Sequence, residues 1–443
     1  MASTFSLDLS PPVNRQMGTT LDRDYFRKTI TVLAARFPAK SVGAAKLADE
    51  LKQSVLDLPK IPSVKPDPTS ADCRLIRLCK EEHIPEAAMG YLKRHSEGLT
   101  EYNLQLGYDH WNLDEILQAI LPEELCAGAP VGFSSTGHIA HVNLSDEYLP
   151  YKHLIGELIL DKNRRLKTVV NKLNQIHDQF RFFAMELIAG EDNYVVEHHE
   201  SDCAFTFDFT RVYWNSRLHT EHKRMIDMFK PEDVIVDVMA GVGPFAVPAG
   251  RRGCAVLAND LNPESHKYLQ HNITANKAEA FVRPFCEDGR TFIPRSIQLL
   301  MDDPMAGYQG PPISKARERR DRERGIAKPS TPPAPPRKRV SHFLMNLPDS
   351  AITFVDAYRG ILAQSGEIGE EYEGHLPMVH CYCFTREAEP DAAAADIRQR
   401  VEEVLGDKLE EDVSFHHVRA VAPNKEMYCI SFRLPHKVAY ARI

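Results

Sequence analysis

The stretch Val234–Phe245, VIVDVMAGVGPF, limits what this chain can fold into more than any other. Apolar and β-branched residues lead to Asp237, and Ala240-Gly241-Val242-Gly243-Pro244 then closes a tight turn. A short buried strand, a glycine-rich loop and a helix start are how an open α/β sheet holds an adenosine-bearing cofactor. Gly241 and Gly243 carry no Cβ, so the backbone there can approach a ligand closely. Pro244 suits the first turn of the following helix, where its missing N–H costs nothing. An ordinary strand-to-helix turn would look the same over so short a span, so the neighbouring segments have to decide.

Strand and helix signals alternate on both sides of it. Leu218–Phe229 reads as a helix, Val234–Val238 as a first strand and Phe245–Arg251 as a short helix. Ala255–Asp260 is a second strand, His266–Ala275 a helix and Ala280–Phe285 a third strand. Gln298–Arg339 interrupts the alternation, and its Pro and Arg content is that of a disordered insertion. Val340–Met345 is strand four, Ala351–Leu362 a helix, Met378–Phe384 strand five and Asp391–Leu405 a helix. Val413–Val421 and Met427–Leu434 close the set as an antiparallel pair. Such an order predicts a doubly wound α/β sheet with an antiparallel edge.

A chain of 443 residues has room for two or three domains. Residues 1–16 read as a flexible tail without the apolar core of a secretory signal. Residues 17–105 read as a small N-terminal domain. In it Phe26, Ile30, Val32, Leu33 and Phe37 suggest short helices, Lys60–Ser70 with its three prolines a loop, and Cys73–Cys79 a strand. Residues 106–210 read as a middle α+β domain, with helices at Leu113–Leu121 and Tyr151–Leu160. Its strands are expected at Gly132–Asn143, Gln179–Ile188, Asn193–Val196 and Ala204–Val212. Residues 211–443 form the sheet domain, with a basic insertion at 303–339.

No apolar run approaches the roughly 18 residues needed to span a bilayer, so no membrane segment is expected. Nine cysteines without any CxxC spacing read as free thiols in a reducing compartment, and no metal site is expected. The net charge of −8 is unevenly spread: Lys315–Arg339 has ten Lys/Arg against three Asp/Glu, leaving −15 for the rest. Whole-chain charge therefore does not exclude a nucleic-acid partner. Asp161–Lys172 carries a second basic group, Lys162, Arg164, Arg165, Lys167 and Lys172, either a solvated helix face or a phosphate-contacting surface.

Three acids fall at successive strand ends: Asp237, Asp260 and Asp288. An acid like Asp260, 19 residues beyond Gly241, accepts hydrogen bonds from ribose hydroxyls in sheets of this kind. Leu261 follows it, and Asp288-Gly289 lies in reach of an adenine. Each acid taken alone is as well explained as a loop carboxylate or N-cap. With Ala246 the loop also fits GxGxxA, which keeps a nicotinamide cofactor open. Strand four argues against hydride transfer, because it ends in Asn346-Leu347-Pro348. A polar side chain followed by a proline suits a methyltransferase acting on a planar nitrogen, where Asn346 can hold the nucleophile in line.

Together, Asp237–Phe245, Asn259-Asp260-Leu-Asn-Pro and Asn346-Leu-Pro resemble the eukaryotic and archaeal family of tRNA (guanine-37-N1)-methyltransferases. So does Tyr213-Trp-Asn-Ser-Arg217-Leu-His-Thr-Glu221-His, as does Phe180-Arg181-Phe-Phe-Ala-Met-Glu-Leu-Ile-Ala-Gly. Asn215-Ser216 replaces the family's Ser-Pro, and His222 replaces an Arg. The resemblance spans roughly residues 105–443. It implies a class I, Rossmann-like sheet, S-adenosylmethionine as cofactor, and methylation of guanosine 37 of tRNA. That modification supports reading-frame maintenance and, in some tRNAs, begins wybutosine synthesis. By the resemblance Glu221 is the general base, Arg181 stabilises charge on O6, and Asn346 orients the purine. Tyr213 and Arg217 flank cofactor and nucleotide, alongside Asp237, Ala240, Gly241, Gly243, Asp260, Leu261, Asp288 and Gly289. Without the family, Glu221 and Arg217 would read as an i, i+4 surface pair.

Transfer of the aminocarboxypropyl group of the same cofactor is the alternative chemistry. The N-terminal domain is implied to check the outer corner of the tRNA. A monomer is expected, in cytoplasm and nucleus, with the mitochondrial matrix left open.

Overall fold

The computed structural model describes residues 7–79, 83–176, 183–310, 320, 334–363, 367–410 and 412–442. The chain divides into two compact units. The first comprises residues 1–134, 140–172 and 186–192, and the second 135–139, 173–185 and 193–443.

In the first unit β1 (Lys28–Pro38), β2 (Val64–Asp67), β3 (Ser70–Leu78) and β4 (Gly98–Leu106) form an antiparallel sheet of order β2-β3-β1-β4. Two expectations are corrected here. Residues 28–38 are one long strand and not short helices, because apolar side chains are buried on both faces of β1, hiding its period of two. One face packs Ala35 and Phe37 with Ile76, Leu78 and Leu92 near α1 (Val42–Leu47) and α2 (Glu86–His95). The other places Val32 and Leu104 with Trp111, Ile116 and Ile155. The Lys60–Ser70 loop likewise contains β2, which keeps Pro66 at a sheet edge, where a missing donor is tolerated.

Helix α3 (Leu113–Ile120) starts at a reciprocal capping box: Glu115 N–H donates to Asn112 Oδ1 and Asn112 N–H to Glu115 Oε2. Two further helices follow, α4 (Glu123–Cys126) and α5 (Lys152–Lys162). Residues 132–143 hold two strands and not one, β5 (Ser134–Thr136) and β6 (Ile139–Val142), turned at Gly137 with φ +55°. These join β7 (Thr168–Ile176) and β8 (Phe183–Gly190) in a sheet of order β5-β6-β7-β8. In the second unit β9 (Val195–Glu200) and β10 (Cys203–Asp208) make an antiparallel ribbon.

The rest of the second unit is the doubly wound sheet. Its strands are β11 (Val234–Asp237), β12 (Ala255–Asn259), β13 (Val282–Phe285), β14 (His342–Met345), β15 (Met378–Thr385), β16 (Ser414–Ala422) and β17 (Lys425–Arg433). Their order is β13-β12-β11-β14-β15-β17-β16; the first five are parallel and the last two antiparallel. Strand order reverses between β11 and β14, so a crevice opens at their carboxyl ends. The helices of six residues or more are α6 (His219–Met228), α7 (Ala246–Arg251), α8 (Pro263–Ala275), α9 (Gly289–Asp302) and Pro390–Leu405. On one face Val236, Phe343, Val379, Cys381 and Ile430 pack with Val355, Ile397 and Val401. Alternation turns Asp237, His380 and Tyr382 to the other face.

The reading of 298–339 is corrected at both ends. Helix α9 runs to Asp302 despite an internal Pro294. Met305 and Arg337 then pair as an antiparallel bridge. The nearly buried Arg337 guanidinium donates to the carbonyls of Ala306, Pro231 and Gly253, each at 2.8 Å, which fixes both roots of the segment. Residues 351–358 form a 3-10 helix and not an α-helix reaching Leu362. All nine cysteines are free, and Cys286 alone is exposed. No described helix is long and apolar enough to cross a membrane.

Candidate active site

The glycine loop is tied down by backbone bonds to its neighbours. Val238 N–H donates to Leu344 O at 2.9 Å and Ala240 N–H to Asn259 O at 2.7 Å. Gly241 has φ +55°, and a Cβ there would meet nothing within 4 Å. The backbone there faces open space. Gly243 is different: at φ +97° a Cβ would lie 2.8 Å from Val247 Cγ2 and 2.9 Å from Leu269 Cδ1. Its lack of a side chain therefore serves packing.

Asp260 at the end of β12 clamps this loop. Gly241 N–H donates to its Oδ2 at 2.8 Å and Asn262 N–H to its Oδ1 at 2.9 Å. Burial raises its carboxyl pKa, against the lowering by these amides. Beside it Leu261 is 41 % exposed, an apolar surface at the crevice mouth. Asp237 is fully buried, and among the described residues neither carboxylate oxygen has a well-aligned hydrogen bond, the nearest donor being the Met239 amide. Burial, then the charge of Asp260, pushes its carboxyl well above the usual range. A neutral carboxyl in that state can donate one hydrogen bond and accept others, which suits a ligand's polar end. Asp288 is exposed and caps α9, accepting from Arg290 N–H at 2.8 Å. Gly289 is buried, and a Cβ there would stand 2.9 Å from Val238 Cγ1, too close for a side chain.

Two asparagines hold the crevice together: Asn259, which stands in the Asn259-Asp260-Leu-Asn-Pro motif, and Asn272, which no motif marks. Buried Asn259 donates to Val238 O and Glu287 O, each at 3.0 Å, and accepts from Glu287 N–H at 2.9 Å. Buried Asn272 donates to Val242 O at 3.0 Å and accepts from Thr206 N–H at 2.8 Å. Both join backbone groups far away in sequence, so these bonds cannot be read from local pattern.

At the other side of the crevice stands Glu221, on the first turn of α6 and only 4 % exposed. It is no surface partner of Arg217. Arg224 donates Nε to its Oε2 at 2.7 Å and Nη2 to its Oε1 at 2.6 Å, and the Tyr382 hydroxyl donates to Oε1 at 2.7 Å. Burial opposes charge on Arg224, but the carboxylate more than offsets this and raises the guanidinium pKa. His416 Nε2 lies 3.3 Å from Oε2. Met345 pairs with Cys381, so half-buried Asn346 and Tyr382 are the next residues on adjacent strands. That places Asn346 beside the strand that holds Glu221.

Tyr213 is 46 % exposed, while Trp214 beneath it stacks on Phe207 with centroids 4.7 Å apart. The departure at Asn215 is absorbed locally, since its Oδ1 accepts from Arg217 N–H at 3.2 Å and its Nδ2 donates to Tyr213 Oη at 3.4 Å. Arg217 is exposed. His222 is buried, hydrogen-bonded to Glu200 and 4.7 Å from the Phe245 ring, so it faces inward. Arg181 lies outside the described residues.

In the first unit the basic group is not a helix face. Arg164, Arg165 and Lys167 are exposed in the turn between α5 and β7, and Lys172 is half-buried on β7. Lys162 is spoken for: its ammonium donates to Tyr108 O at 2.6 Å and lies 3.6 Å from the Tyr108 ring centroid. Among the described residues no group of three or more His, Cys, Asp or Glu could hold a metal ion.

A doubly wound sheet with this loop, this clamped acid and a polar residue ending the fourth strand defines a Rossmann-like methyltransferase of class I. Residues 196–308 match the family described as TRM5/TYW2 methyltransferase domain, and 113–193 the TYW2 N-terminal domain. A Coprinopsis cinerea protein named tRNA (guanine(37)-N(1))-methyltransferase is 55% identical over 98% of each chain. One of the same name from Schizosaccharomyces pombe is 43% identical over 95% of each. The chain belongs to this tRNA (guanine(37)-N(1))-methyltransferase family. In fold it is similar to Trm5b from Pyrococcus abyssi, with TM-score 0.58 at 22% identity over 91% of this chain and 99% of that one. A structure of aTrm5 with tRNALeu gives TM-score 0.59 at 18% identity, over 91% and 100%.

Proposed function

We infer that the chain transfers the methyl group of S-adenosylmethionine to N1 of guanosine 37 in tRNA. The observation that carries this reading is the convergence at one end of the sheet. The Asp260-clamped loop with an open Gly241 stands across the strand order from a buried, donor-held Glu221 beside the strand of Asn346.

The residues present fit the cofactor. Gly241 leaves its backbone open, Asp260 accepts from ribose hydroxyls, and Leu261 offers an apolar surface for adenine. Asp237, buried without a well-aligned donor among the described residues, suits the cofactor's amino-acid end. S-adenosylmethionine supplies the electrophilic methyl group. Guanine N1 carries a proton and is a poor nucleophile, so the chain must remove that proton as the methyl arrives. Glu221 is the proposed base. Arg224 and Tyr382 hold its carboxylate in one plane, which fixes where the accepting oxygen points. As N1 loses its proton, charge builds on O6, where Arg181 is the proposed stabiliser. Asn346 orients the purine, and Tyr213 offers a half-exposed ring at the mouth. Arg217 flanks the nucleotide.

The deciding experiment is methylation of tRNA transcripts with and without guanosine 37, with the product nucleoside identified by mass. Methylguanosine only with guanosine 37 is the expected result; an aminocarboxypropyl adduct, or methylation elsewhere, would overturn the reading. Arg181→Ala is expected to lose about 10²–10³ in turnover, as for other oxyanion donors. The protein is proposed to act as a monomer, testable by light scattering.

A further inference from the structure

The four hydrogen-bond positions around the Glu221 carboxylate are unequal. Oε1 is filled by Arg224 Nη2 at 2.6 Å and the fully buried Tyr382 hydroxyl at 2.7 Å. Oε2 is filled on one side by Arg224 Nε at 2.7 Å. Among the described residues the remaining position of Oε2 is covered only by His416 Nε2, at a longer 3.3 Å, and this imidazole is 45 % exposed. His416 pairs with Cys429 across β16 and β17, and Cys429 pairs with Tyr382. The three side chains therefore stand abreast on one face, with His416 outermost on the edge strand.

We infer that His416 occupies the acceptor position of Glu221 that guanine N1–H must take, and that it is displaced from the β16 side when the target base enters. This rests on the proposal that Glu221 is the base. His416 is a positioning residue that acts through Glu221. A neutral imidazole at this distance is held weakly and yields to the purine edge. A protonated one forms an ion pair with Oε2 and competes with the substrate. Its charge is set by the groups that face it: Glu221 and Arg224 from α6, Tyr382 from β15, Cys429 from β17 and its neighbour His417. Burial, then Arg224, lowers its pKa, against the raising by Glu221, so it is neutral at physiological pH and charges only in acid.

The competition exists in the free enzyme and disappears once the base is bound. It belongs to kcat/KM for tRNA and not to kcat. Steady-state kinetics of the full chain with a guanosine-37 transcript, between about pH 5.5 and 8, test it with two variants of opposite charge. In the wild type kcat/KM is expected to fall further than kcat on the acid side. In His416→Gln that extra fall disappears. In His416→Lys, charged throughout, KM rises about two- to fivefold at every pH, the scale of one half-exposed ion pair. The inference is overturned if Gln and Lys move KM the same way, or if the extra acid fall persists in His416→Gln. The base reading fails separately, if single-turnover methylation by Glu221→Gln keeps the wild-type pH profile.

Discussion

Among the described residues Asp237 is buried without a well-aligned hydrogen bond on either carboxylate oxygen, whereas Glu221 is buried with both oxygens held. For Asp237 the consequence is a stability that depends on pH. Its folded-state pKa is raised, so the neutral carboxyl is favoured on folding. Its contribution is then fully present below the unfolded value, about 3.9, and is lost as pH rises through the folded value. Asp237→Asn cannot ionise. In cofactor-free protein its melting temperature is expected to exceed the wild type's by an amount that is absent near pH 4 and grows toward neutrality. Each kcal/mol of that difference shifts Tm by about 2–4 °C. A difference that stays constant with pH would mean that charge burial is not the cause. For Glu221 the consequence is kinetic. Glu221→Gln keeps the shape and removes the proposed proton acceptor, so turnover should fall by about 10²–10⁴ and its rise with pH should flatten. A variant with ordinary single-turnover rates would point to another base.

The loop after β11 shows how one element divides two tasks that look alike in sequence. Gly241→Ala meets no atom within 4 Å and asks only that alanine adopt φ +55°, a strain of about 1–2 kcal/mol. It should fold and bind S-adenosylmethionine more weakly. Gly243→Ala adds contacts of 2.8 and 2.9 Å to a larger backbone strain, since φ +97° lies outside the left-handed region that alanine can reach, so it should lose about 2–4 kcal/mol of stability. Thermal unfolding and calorimetric cofactor titration separate the two; equal effects on both readouts would remove the distinction. The elements themselves were largely legible, because parallel strands buried on both faces read as short apolar runs between helices with marked caps. Asp260, Asn262 and Asn346 could be placed from such runs. What was hidden has physical reasons. Strand β1 is apolar on both faces and so lacks alternation, and Pro294 masked α9. Tyr382 reaches Glu221 across 161 residues, and Asn272 reaches Thr206 across 66. Such pairs exist only once the fold has brought distant segments together, and no spacing rule records them. The opposite roles of Gly241 and Gly243 depend on what surrounds each Cα, which a glycine pair cannot reveal.

At the scale of the whole chain, the net charge of −8 sits awkwardly with an RNA substrate. Affinity for a polyanion depends on where cations stand and which of them are free to move. The turn after α5 offers Arg164, Arg165 and Lys167 to solvent, while Lys162 is held by the Tyr108 carbonyl and ring. Burial lowers the Lys162 pKa as well, so what marks it as structural is its hold on Tyr108 and not its charge. The two kinds of residue should therefore separate on mutation. Replacing Arg164, Arg165 and Lys167 together by Ala should weaken tRNA binding and make it less sensitive to salt. Every phosphate left without its cation lowers the slope of log K against log [salt] by about 0.7–0.9, so removing all three cations would lower it by about 2–3. Lys162→Ala should leave that slope nearly unchanged and lower the melting temperature, since it uncovers the Tyr108 ring and carbonyl. Filter binding of a tRNA transcript over a salt series gives both slopes. An unaltered slope in the triple variant would remove this turn from the RNA surface, and a Lys162 variant whose slope fell by as much would show that its ammonium leaves Tyr108 for phosphate.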